Sequence, residues 1–448
     1  MNQQYNELKN KYSEFIYHGY NYEVSEDIIK INYEFEIVGL DYFTPSWEFP
    51  YTISIDNEIM DKLVFSLGLV ELVSYWKLTC ASKVLIKCGS LDKEQIQWWK
   101  KLYFNGLGEF FYLNNINEVN IDDFMDIIPK YLVECDKRID IPKSQSGALV
   151  PIGGGKDSVV TLELFHSMNE NVTTYSVNRI NAVKEVIAID NKKSADILAK
   201  RILDKKMIAY NSEGFLNGHT PFSAIVAFSS VITAYLNDIE QIALSNESSA
   251  NESTVADTNI NHQYSKSIEF EDDFRMYIDK IFNTKIKYYS ALRPLFETQI
   301  AALFAKEKKY HKVFRSCNAG SKVGKWCCDC PKCLFVYIIL APYLEEDELV
   351  EIFGENLLDK ESLQGYFDEL IGISENKPFE CVGTREEVLA SIMNYRDKKL
   401  GKGILIHNSK EYLDKKEDNL KVLLGAWHSK NNLPKNVEGK LMERLDDI

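Results

Sequence analysis

The stretch Gly147–Leu164, GALVPIGGGKDSVVTLEL, constrains the fold of this chain more than any other. It begins with a short apolar run, Ala148–Ile152, that suits a buried parallel strand. Three glycines, Gly153–Gly155, interrupt the run before apolar residues return at helical spacing from Val159. The pattern predicts a strand, a glycine loop and the N-terminus of a helix, with the loop at the carboxyl end of the strand.

A loop of this kind can bind a phosphate group. Successive glycines let backbone amides approach an anion without a side chain in the way, and the helix dipole adds favourable potential at the same point. A Walker A loop is not indicated, because Lys156 is followed by Asp157 and only then by Ser158. An ordinary glycine-rich turn between strand and helix is the alternative interpretation.

The order Gly-Gly-x-Asp-Ser resembles the pyrophosphate loop of N-type ATP pyrophosphatases, which cleave ATP between its α and β phosphates. The matching residues are Gly154, Gly155, Asp157 and Ser158. Gly153 departs from the motif, since that family usually has serine there, and Lys156 is a candidate to replace the missing hydroxyl contact. The resemblance implies that residues 153–158 bind the pyrophosphate of ATP, with Mg²⁺ offsetting its charge and Asp157 contacting the metal.

Composition and charge narrow the class of protein. A chain of 448 residues suits two or three domains, and 52 Lys and Arg against 67 Asp and Glu give a net charge of −15. This charge argues against a protein that coats nucleic acid. The first residues lack the apolar core of a signal peptide, and Pro221–Leu236 is shorter than a confident membrane span. We predict a cytoplasmic protein without nucleic-acid or membrane partners.

The segment Asp140–Ser146, DIPKSQS, has the composition of a linker and predicts a domain boundary. Residues 1–140 mix short strands with helices, for example a strand at Ile28–Val38 and a helix at Ile59–Trp76 behind Asp56 as N-cap. This mixture predicts an N-terminal α+β domain.

Residues 146–344 alternate strands and helices, which predicts an α/β catalytic domain: a parallel sheet with helices on both faces. The predicted strands after the loop are Val172–Val177, Met207–Tyr210, Ile242–Leu244 and Val313–Phe314, and the predicted helices are Phe222–Leu236, Phe270–Phe282 and Thr298–Lys306. Residues 345–448 are predicted to be mainly helical.

Two polar segments follow predicted strands of this domain. Ile242–Leu244 runs into SNESSANEST, where Asn246 is a candidate nucleotide contact and Glu247 a candidate magnesium or substrate contact. The segment GFLNGHTP places His219 before a helix. A polar connecting loop in the first case, and a cap or turn histidine in the second, are the structural alternatives.

The segment 317–333, CNAGSKVGKWCCDCPKC, indicates a metal site. Four of its cysteines are spaced as ligands of one metal ion: Cys317, Cys327, Cys330 and Cys333. Two-residue gaps let consecutive sulfur atoms face one metal, and four thiolates close a tetrahedral zinc site that is usually structural. Nine cysteines in a chain without a signal peptide suit a reducing compartment better than disulfides, and a redox role is the alternative.

Taken together, the motifs resemble the UDP-N-acetylmuramoyl-L-alanyl-L-glutamate epimerase (MurL) family. The motifs that carry the resemblance are PIGGGKDS, FLNGHTP, LSNESSAN with NHQYSKS, LRPLFETQIAALFA, SCN with WCCDCPKC, and KPFECVG. The likeness runs from the loop strand to Cys381, with a weaker likeness around GLGEF at Gly106–Phe110. It implies a fold of the adenine nucleotide alpha-hydrolase type.

The resemblance also implies the chemistry: adenylation of the terminal glutamate carboxylate, inversion of its α-carbon, and hydrolysis to acid and AMP. A neutral acyl-adenylate acidifies the α-proton, because its enolate is not a dianion. Besides Lys156, Asp157 and Ser158, the residues able to transfer protons are His219, His262, Glu247, Cys381 and Lys332. A UDP-muramoyl dipeptide is anionic, so Arg293 and Arg315 are the candidate substrate contacts.

Two alternatives remain open at this point. A pyrophosphate loop followed by four cysteines is also similar to 7-cyano-7-deazaguanine synthase, which activates an acid with ATP before amidation, although that enzyme is much shorter. The other alternative is a zinc and nucleotide-binding adaptor without catalysis. Retention of both Asp157 and Ser158 speaks against the adaptor.

Overall fold

The structure is a computed structural model that describes residues 3–116, 119–135, 137–142, 147–190, 194–251, 261–398, 403–446 and 448. The strands are β1 Glu14–Val24, β2 Ile28–Ile37, β3 Asp41–Phe43, β4 Ser46–Pro50, β5 Lys83–Leu91, β6 Asp126–Leu132, β7 Ile139–Asp140, β8 Ala148–Pro151, β9 Val172–Val177, β10 Ala195–Ile202, β11 Gln241–Leu244, β12 Phe282–Asn283 and β13 Lys287–Ser290.

The helices come from all parts of the described chain. They are α1 Gln3–Lys11, α2 Asn57–Trp76, α3 Lys93–Gly106, α4 Gly108–Leu113, α5 Lys156–Ser167, α6 Asn181–Asp190, α7 Lys205–Ser212, α8 Phe222–Leu236, α9 Ile268–Ile281, α10 Glu297–Ala305, α11 Pro331–Leu340, α12 Glu346–Phe353, α13 Gln364–Ile371, α14 Arg385–Lys398, α15 Ile404–Asn408, α16 Lys410–Leu413, α17 Leu420–Leu424 and α18 Lys435–Leu445. Short 3₁₀ helices lie at Ser248–Asn251, Tyr264–Lys266, Lys308–Tyr310, Leu357–Asp359 and Glu361–Leu363.

The chain forms two compact units. The first comprises Met1–Ser146, Ile197–Ile242 and Gln263–Lys287, and the second comprises Gly147–Asp196, Ala243–His262 and Tyr288–Ile448. The division into domains at 1–140, 146–344 and 345–448 stays a prediction. Residues 143–146 of the proposed linker lie outside the described residues.

In the first unit, a mixed sheet carries the strands in the order β10-β4-β2-β1-β5-β6, with β3 beside β2. The β1–β2, β2–β4 and β4–β10 pairs are antiparallel, and β1–β5 and β5–β6 are parallel. Helix α2 is largely buried and packs against α8, and Asp56 caps it as predicted, accepting hydrogen bonds from the amides of Glu58 and Ile59. The predicted N-terminal α+β region is confirmed.

In the second unit, the strand order is β13-β11-β8-β9, and β8 pairs with β9 in parallel from Ala148 opposite Val172 to Pro151 opposite Tyr175. Helices α5, α10, α11 and α14 pack on one another and bury a large apolar core. No strand follows β13 in the part of the chain that the structure describes. The α/β class and the helical C-terminal region are confirmed.

Most of the predicted helices and strands agree with the structure, but two of the predicted strands are wrong. Met207–Tyr210 belongs to helix α7, because the side chain of Asp204 caps the amide of Lys206 and only Met207 of the helix is buried. Val313–Phe314 forms a turn and loop instead of a strand, although Phe314 is buried. Short apolar runs of this kind do not distinguish strand, helix and loop.

The predicted buried helix at Phe222–Leu236 is α8, and nearly all of its side chains are buried. None of the helices in the described part of the chain is long and apolar enough to cross a membrane.

Candidate active site

The glycine loop joins β8 to α5 at the carboxyl end of the strand. Gly154 has a φ of 85°, and its carbonyl oxygen accepts a hydrogen bond from the amide of Arg315 at 2.8 Å. The hydroxyl of Ser158 donates to the carbonyl oxygen of Gly155 at 2.9 Å. The N-cap of α5 is Gly155, which has no side chain to cap the helix, and the amides of such a first turn suit an anion.

The three glycines are not equivalent, and this predicts a difference between their alanine variants. A Cβ atom on Gly154 would lie 2.9 Å from Cβ of Ala182 at a left-handed φ, whereas one on Gly153 would meet no atom within 4 Å. Gly154→Ala should therefore destabilise the protein by roughly 1 to 3 kcal/mol, and Gly153→Ala by much less. Urea unfolding of both variants measures the difference, and equal losses would contradict the loop geometry.

Lys156 lies beneath the loop as a buried cation. Its ammonium group contacts the carboxylates of both Asp157 and Glu297. The Lys156 and Glu297 side chains are each 2% exposed, while Asp157 is 26% exposed. Burial lowers the pKa of Lys156, but the two carboxylates outweigh it and raise the pKa above its usual range. Lys156 therefore stays charged and fixes Asp157, the one member of the trio that reaches solvent.

Two further buried carboxylates surround Glu297. The backbone amide of Glu297 contacts one carboxylate oxygen of Glu387, and the other oxygen of Glu387 accepts a hydrogen bond from the amide of Thr384 at 2.7 Å. Glu247 is also buried, and its charge raises the pKa of both Glu297 and Glu387 in addition to the larger effect of burial. The cluster thus places several carboxyl groups, the type of ligand that divalent cations prefer, beside Lys156, and two of them keep their protons to a higher pH than usual.

The pKa of Glu297 predicts a specific pH dependence of stability. Burial raises this pKa from 4.5 to about 8, although Lys156 acts in the opposite direction. The pKa of Glu297 is higher in the folded than in the unfolded protein. Its contribution to the free energy of unfolding is therefore complete below about pH 4.5 and is lost as the pH rises through about 8. Relative to Glu297→Gln, wild-type stability should fall between these values with a slope of at most about 1.4 kcal/mol per pH unit.

Urea unfolding at a series of pH values measures this slope. Glu163→Gln is the control, because burial of Glu163 is outweighed by hydrogen bonds from His166, Lys309 and Tyr310 that lower its pKa to about 2. The difference in unfolding free energy between wild type and Glu163→Gln should not change between about pH 5 and about pH 8. If the unfolding free energies of wild type and Glu297→Gln change with pH in parallel, the raised pKa of Glu297 is contradicted.

Lys332 and Cys381 lie in the same cluster. The ammonium group of Lys332 donates to the carbonyl oxygen of Cys381 and lies 5.1 Å from the ring centre of Phe335. A Cβ atom on Gly383 would lie 3.0 Å from the Glu387 carboxylate and 3.2 Å from Cγ of Glu297. The KPFECVG loop therefore passes directly beside the buried carboxylates, and Cys381 within it is half-buried.

Residues 246–247 are fixed by the end of β13 and by the segment that follows it. The side-chain amide of Asn246 donates to Ser290 Oγ at 3.0 Å, and Arg293 donates to the carbonyl oxygen of Glu247 at 2.7 Å and to Ser290 Oγ at 3.2 Å. Arg293 is buried, with 1% of its surface exposed. Its guanidinium group supports the loop that carries Glu247, and its role in substrate binding stays a prediction.

Arg315 lies between the glycine loop and the cysteine segment. Its guanidinium group donates to the carbonyl oxygens of Phe314 (2.5 Å) and Lys312 (2.9 Å) and lies 5.9 Å from the ring centre of Trp326. Burial lowers its pKa. The backbone of Arg315 holds the loop through Gly154, and its predicted contact with substrate stays a prediction.

The four predicted metal ligands come together. The Sγ atoms of Cys317, Cys327, Cys330 and Cys333 all lie within 4.8 Å of one another. Cys333 Sγ is 3.5 Å from the Sγ atoms of both Cys327 and Cys330. Sulfur atoms around a tetrahedral zinc ion lie about 3.8 Å apart, so this set fits zinc. Cys328 stands apart, and its thiol donates to the carbonyl oxygen of Phe353 at 3.1 Å.

The two candidate histidines lie in different units. His219 belongs to the first unit, where its Nδ1 is 3.4 Å from Oε2 of Glu109. Lys77 contacts the carbonyl oxygen of Gly218 and donates to Thr220 Oγ1 at 2.7 Å, which holds this loop. His262 lies half-buried in a turn of the second unit. Proton transfer by either histidine stays a prediction.

Comparison with protein families decides where the chain belongs. A model of the MurL N-terminal domain matches residues 6–291, and a model of the MurL C-terminal domain matches residues 313–420. The chain belongs to the MurL family. The match from residue 6 onward covers the N-terminal third, where the motifs of the sequence indicated only a weaker MurL likeness.

Three MurL relatives carry the name UDP-N-acetyl-alpha-D-muramoyl-L-alanyl-L-glutamate epimerase. The protein from Xanthomonas oryzae pv. oryzae is 34% identical over 74% of this chain and 75% of its own. The one from a Micromonospora species is 36% identical over 73% of both chains, and the one from Salinispora tropica is 31% identical over 86% of both.

Sequence reasoning did not single out Glu297 and Glu387 in this MurL chain. Both lie in the first turn of a helix, where an acidic residue is usually explained by the helix dipole. Glu297 is also the first residue of a mainly apolar helix, ETQIAALFA, whose composition is typical of a buried core helix. Their contact with the loop depends on residues far apart in the sequence, so no local pattern reveals it.

Proposed function

We propose that this chain is an ATP-dependent epimerase that acts on UDP-N-acetylmuramoyl-L-alanyl-L-glutamate during synthesis of peptidoglycan precursors. The names of the three relatives support the substrate. The ATP requirement is supported by the glycine loop, in which a buried, charged Lys156 holds Asp157. A loop that only connected a strand to a helix would not need that buried ion pair.

The reaction begins with activation of the terminal carboxylate. A carboxylate oxygen of the L-glutamate attacks the α-phosphorus of ATP, the bond to the bridging oxygen of the β-phosphate breaks, and pyrophosphate leaves. The α-carbon of the acyl-adenylate gives its proton to a base and regains one on the opposite face. Water then attacks the acyl carbon and releases AMP and the D-glutamyl product. The balance is one ATP and one water consumed per inversion.

The loop residues Gly153–Ser158 bind the pyrophosphate portion of ATP through backbone amides and the helix dipole. Asp157 contacts Mg²⁺, which offsets the charge of the phosphates when bound. Asn246, fixed by Ser290, contacts the nucleotide. Glu297 positions Lys156, which in turn positions Asp157.

The acid and base of the inversion come from the candidates His219, His262, Glu247, Cys381 and Lys332. Three of these residues, all in the second unit, differ in their exposure to solvent. Glu247 is 5% exposed and Lys332 is 6% exposed, whereas Cys381 is half-buried and closer to solvent. The Cys381 thiol is therefore the preferred proton-transfer group among the three, and Lys332 holds its backbone.

The remaining features have supporting roles. The four-cysteine cluster binds a structural zinc ion and fixes the segment that follows Arg315. Arg315 contributes positive charge for an anionic substrate, with Arg293 supporting the loop at Glu247. A zinc thiolate site and an ATP requirement suit the cytoplasm.

Isotope exchange tests this function directly. Purified protein is incubated with ATP, Mg²⁺ and the UDP-muramoyl dipeptide in deuterated water, and deuterium at the glutamate α-carbon is measured by mass spectrometry. We expect incorporation that depends on ATP and yields AMP and pyrophosphate. ADP as the product would exclude adenylation. No turnover with any glutamyl peptide would favour the adaptor, and amidation of a deazaguanine acid would favour the synthase.

A further inference from the structure

The hydroxyl group of Ser316 lies close to the glycine loop. A Cβ atom on Gly155 would be 3.1 Å from Cβ of Ser316 and 4.0 Å from its Oγ. This Oγ is buried and has no hydrogen-bond partner among the described residues. A buried hydroxyl without a partner is unfavourable, and such a group in a native protein commonly serves a ligand or an ordered water.

Ser316 is held in this position from both sides. The amide of Arg315 donates to the carbonyl oxygen of Gly154 at 2.8 Å, which ties the preceding residue to the loop. The following residue, Cys317, belongs to the four-cysteine cluster, and its Sγ accepts a hydrogen bond from the amide of Gly320 at 3.1 Å. The hydroxyl is therefore placed by rigid neighbours, as a ligand contact requires.

The loop itself lacks a hydroxyl at the corresponding place. Gly153 stands where N-type ATP pyrophosphatases usually have serine. Lys156, the candidate replacement, has its ammonium group buried between Asp157 and Glu297 and already neutralised there. The hydroxyl of Ser158 in the loop already donates to the carbonyl oxygen of Gly155, whereas the nearby Ser316 hydroxyl has no partner among the described residues.

We propose that Ser316 supplies the hydroxyl that donates to the pyrophosphate portion of ATP and of the leaving group. The assignment rests on the proposed function, since it concerns the same ATP site. It also explains why position 155 suits glycine: a side chain there would meet Ser316 and separate the hydroxyl from the loop.

The primary test is Ser316→Ala. The inhibition constant of pyrophosphate and the KM of ATP should each rise roughly tenfold or more, the loss expected for one hydrogen bond to a charged group. The KM of the UDP-muramoyl dipeptide and the zinc content should not change. The melting temperature should be equal to or higher than that of wild type, because the variant removes a buried hydroxyl that has no partner among the described residues.

Ser167→Ala is the matched control. Its hydroxyl, at the other end of helix α5, donates to the carbonyl oxygen of Leu164 at 2.6 Å and is therefore satisfied within the protein. This variant should leave the inhibition constant of pyrophosphate unchanged. If Ser316 has only a structural role, Ser316→Ala will also leave the inhibition constant of pyrophosphate unchanged.

The double variant Gly153→Ser with Ser316→Ala tests the exchange of the two positions. A Cβ atom on Gly153 meets no atom within 4 Å, and its φ is not in the left-handed region, so serine fits there. We expect this second hydroxyl to restore most of the pyrophosphate affinity that Ser316→Ala loses. Recovery of affinity cannot come from restored folding alone, because the single variant is expected to be fully folded.

Two results would overturn the proposal. One is an unchanged pyrophosphate inhibition constant in Ser316→Ala, and the other is loss of zinc or of melting temperature that accounts for the whole effect. Calorimetric titration of pyrophosphate with Mg²⁺ into both proteins separates this proposal from the function itself. If wild type forms no AMP but still binds pyrophosphate more tightly than Ser316→Ala, the function fails and the Ser316 contact stands.

Discussion

Asp157→Asn is expected to lower ATP cleavage by roughly a thousandfold while leaving the protein folded. Asp157 is the member of the ion-paired trio that reaches solvent, with 26% of its side chain exposed, so its carboxylate is the one that a divalent cation can reach. An amide oxygen is a weaker ligand for a hard cation than a carboxylate. The buried Lys156 keeps its contact with Glu297, so the variant retains this part of the buried cluster.

The measurement is chromatography of AMP formed in the presence of the UDP-muramoyl dipeptide, over a range of Mg²⁺ concentrations. Thermal unfolding serves as the control for the fold. Partial recovery at high Mg²⁺ would agree with a weakened metal contact. Wild-type turnover in Asp157→Asn would remove Asp157 from the mechanism and leave only the glycine amides for nucleotide binding.

Cys333→Ser is expected to cost the protein its zinc and several kcal/mol of stability, since a structural zinc site supplies ~10 kcal/mol or more of folding free energy in small domains. Cys333 is fully buried, and its Sγ lies 3.5 Å from two other ligands. Cys330 also accepts a hydrogen bond from the amide of Cys333 at 3.4 Å, so the cluster and the start of helix α11 depend on each other. Loss of one ligand should therefore loosen the helix that carries Lys332.

Cys328→Ser is the matched control. Cys328 lies within the same segment but donates to the carbonyl oxygen of Phe353 instead of joining the cluster, and serine keeps that donor. Metal analysis should find one zinc per chain in wild type and Cys328→Ser and less than about half an equivalent in Cys333→Ser. Equal zinc loss in both variants would count against the four-ligand assignment.

The glycine loop, the cysteine cluster and the family could be predicted from the sequence because each motif that indicates them consists of residues close together in the chain. The strand before Gly153 and helix α5 follow from a run of 18 residues, Gly147–Leu164. The spacing of the last three cysteines brings their sulfur atoms together by local geometry alone. Where only a short apolar run was available, as at Met207–Tyr210, the prediction was wrong, because capping by Asp204 favours a helix there.

What the sequence by itself determined is therefore the local chemistry: a phosphate-binding loop, four thiolates and the motifs of one family. Only the tertiary structure decided which distant residues complete the site. Glu297 reaches Lys156 from 141 residues away, Glu387 reaches Glu297 from 90 residues away, and the Ser316 hydroxyl is brought to the loop by a backbone hydrogen bond at Gly154. These contacts arise from packing α5, α10 and α14 into one core, and helix periodicity specifies which face is buried but not which helix it meets.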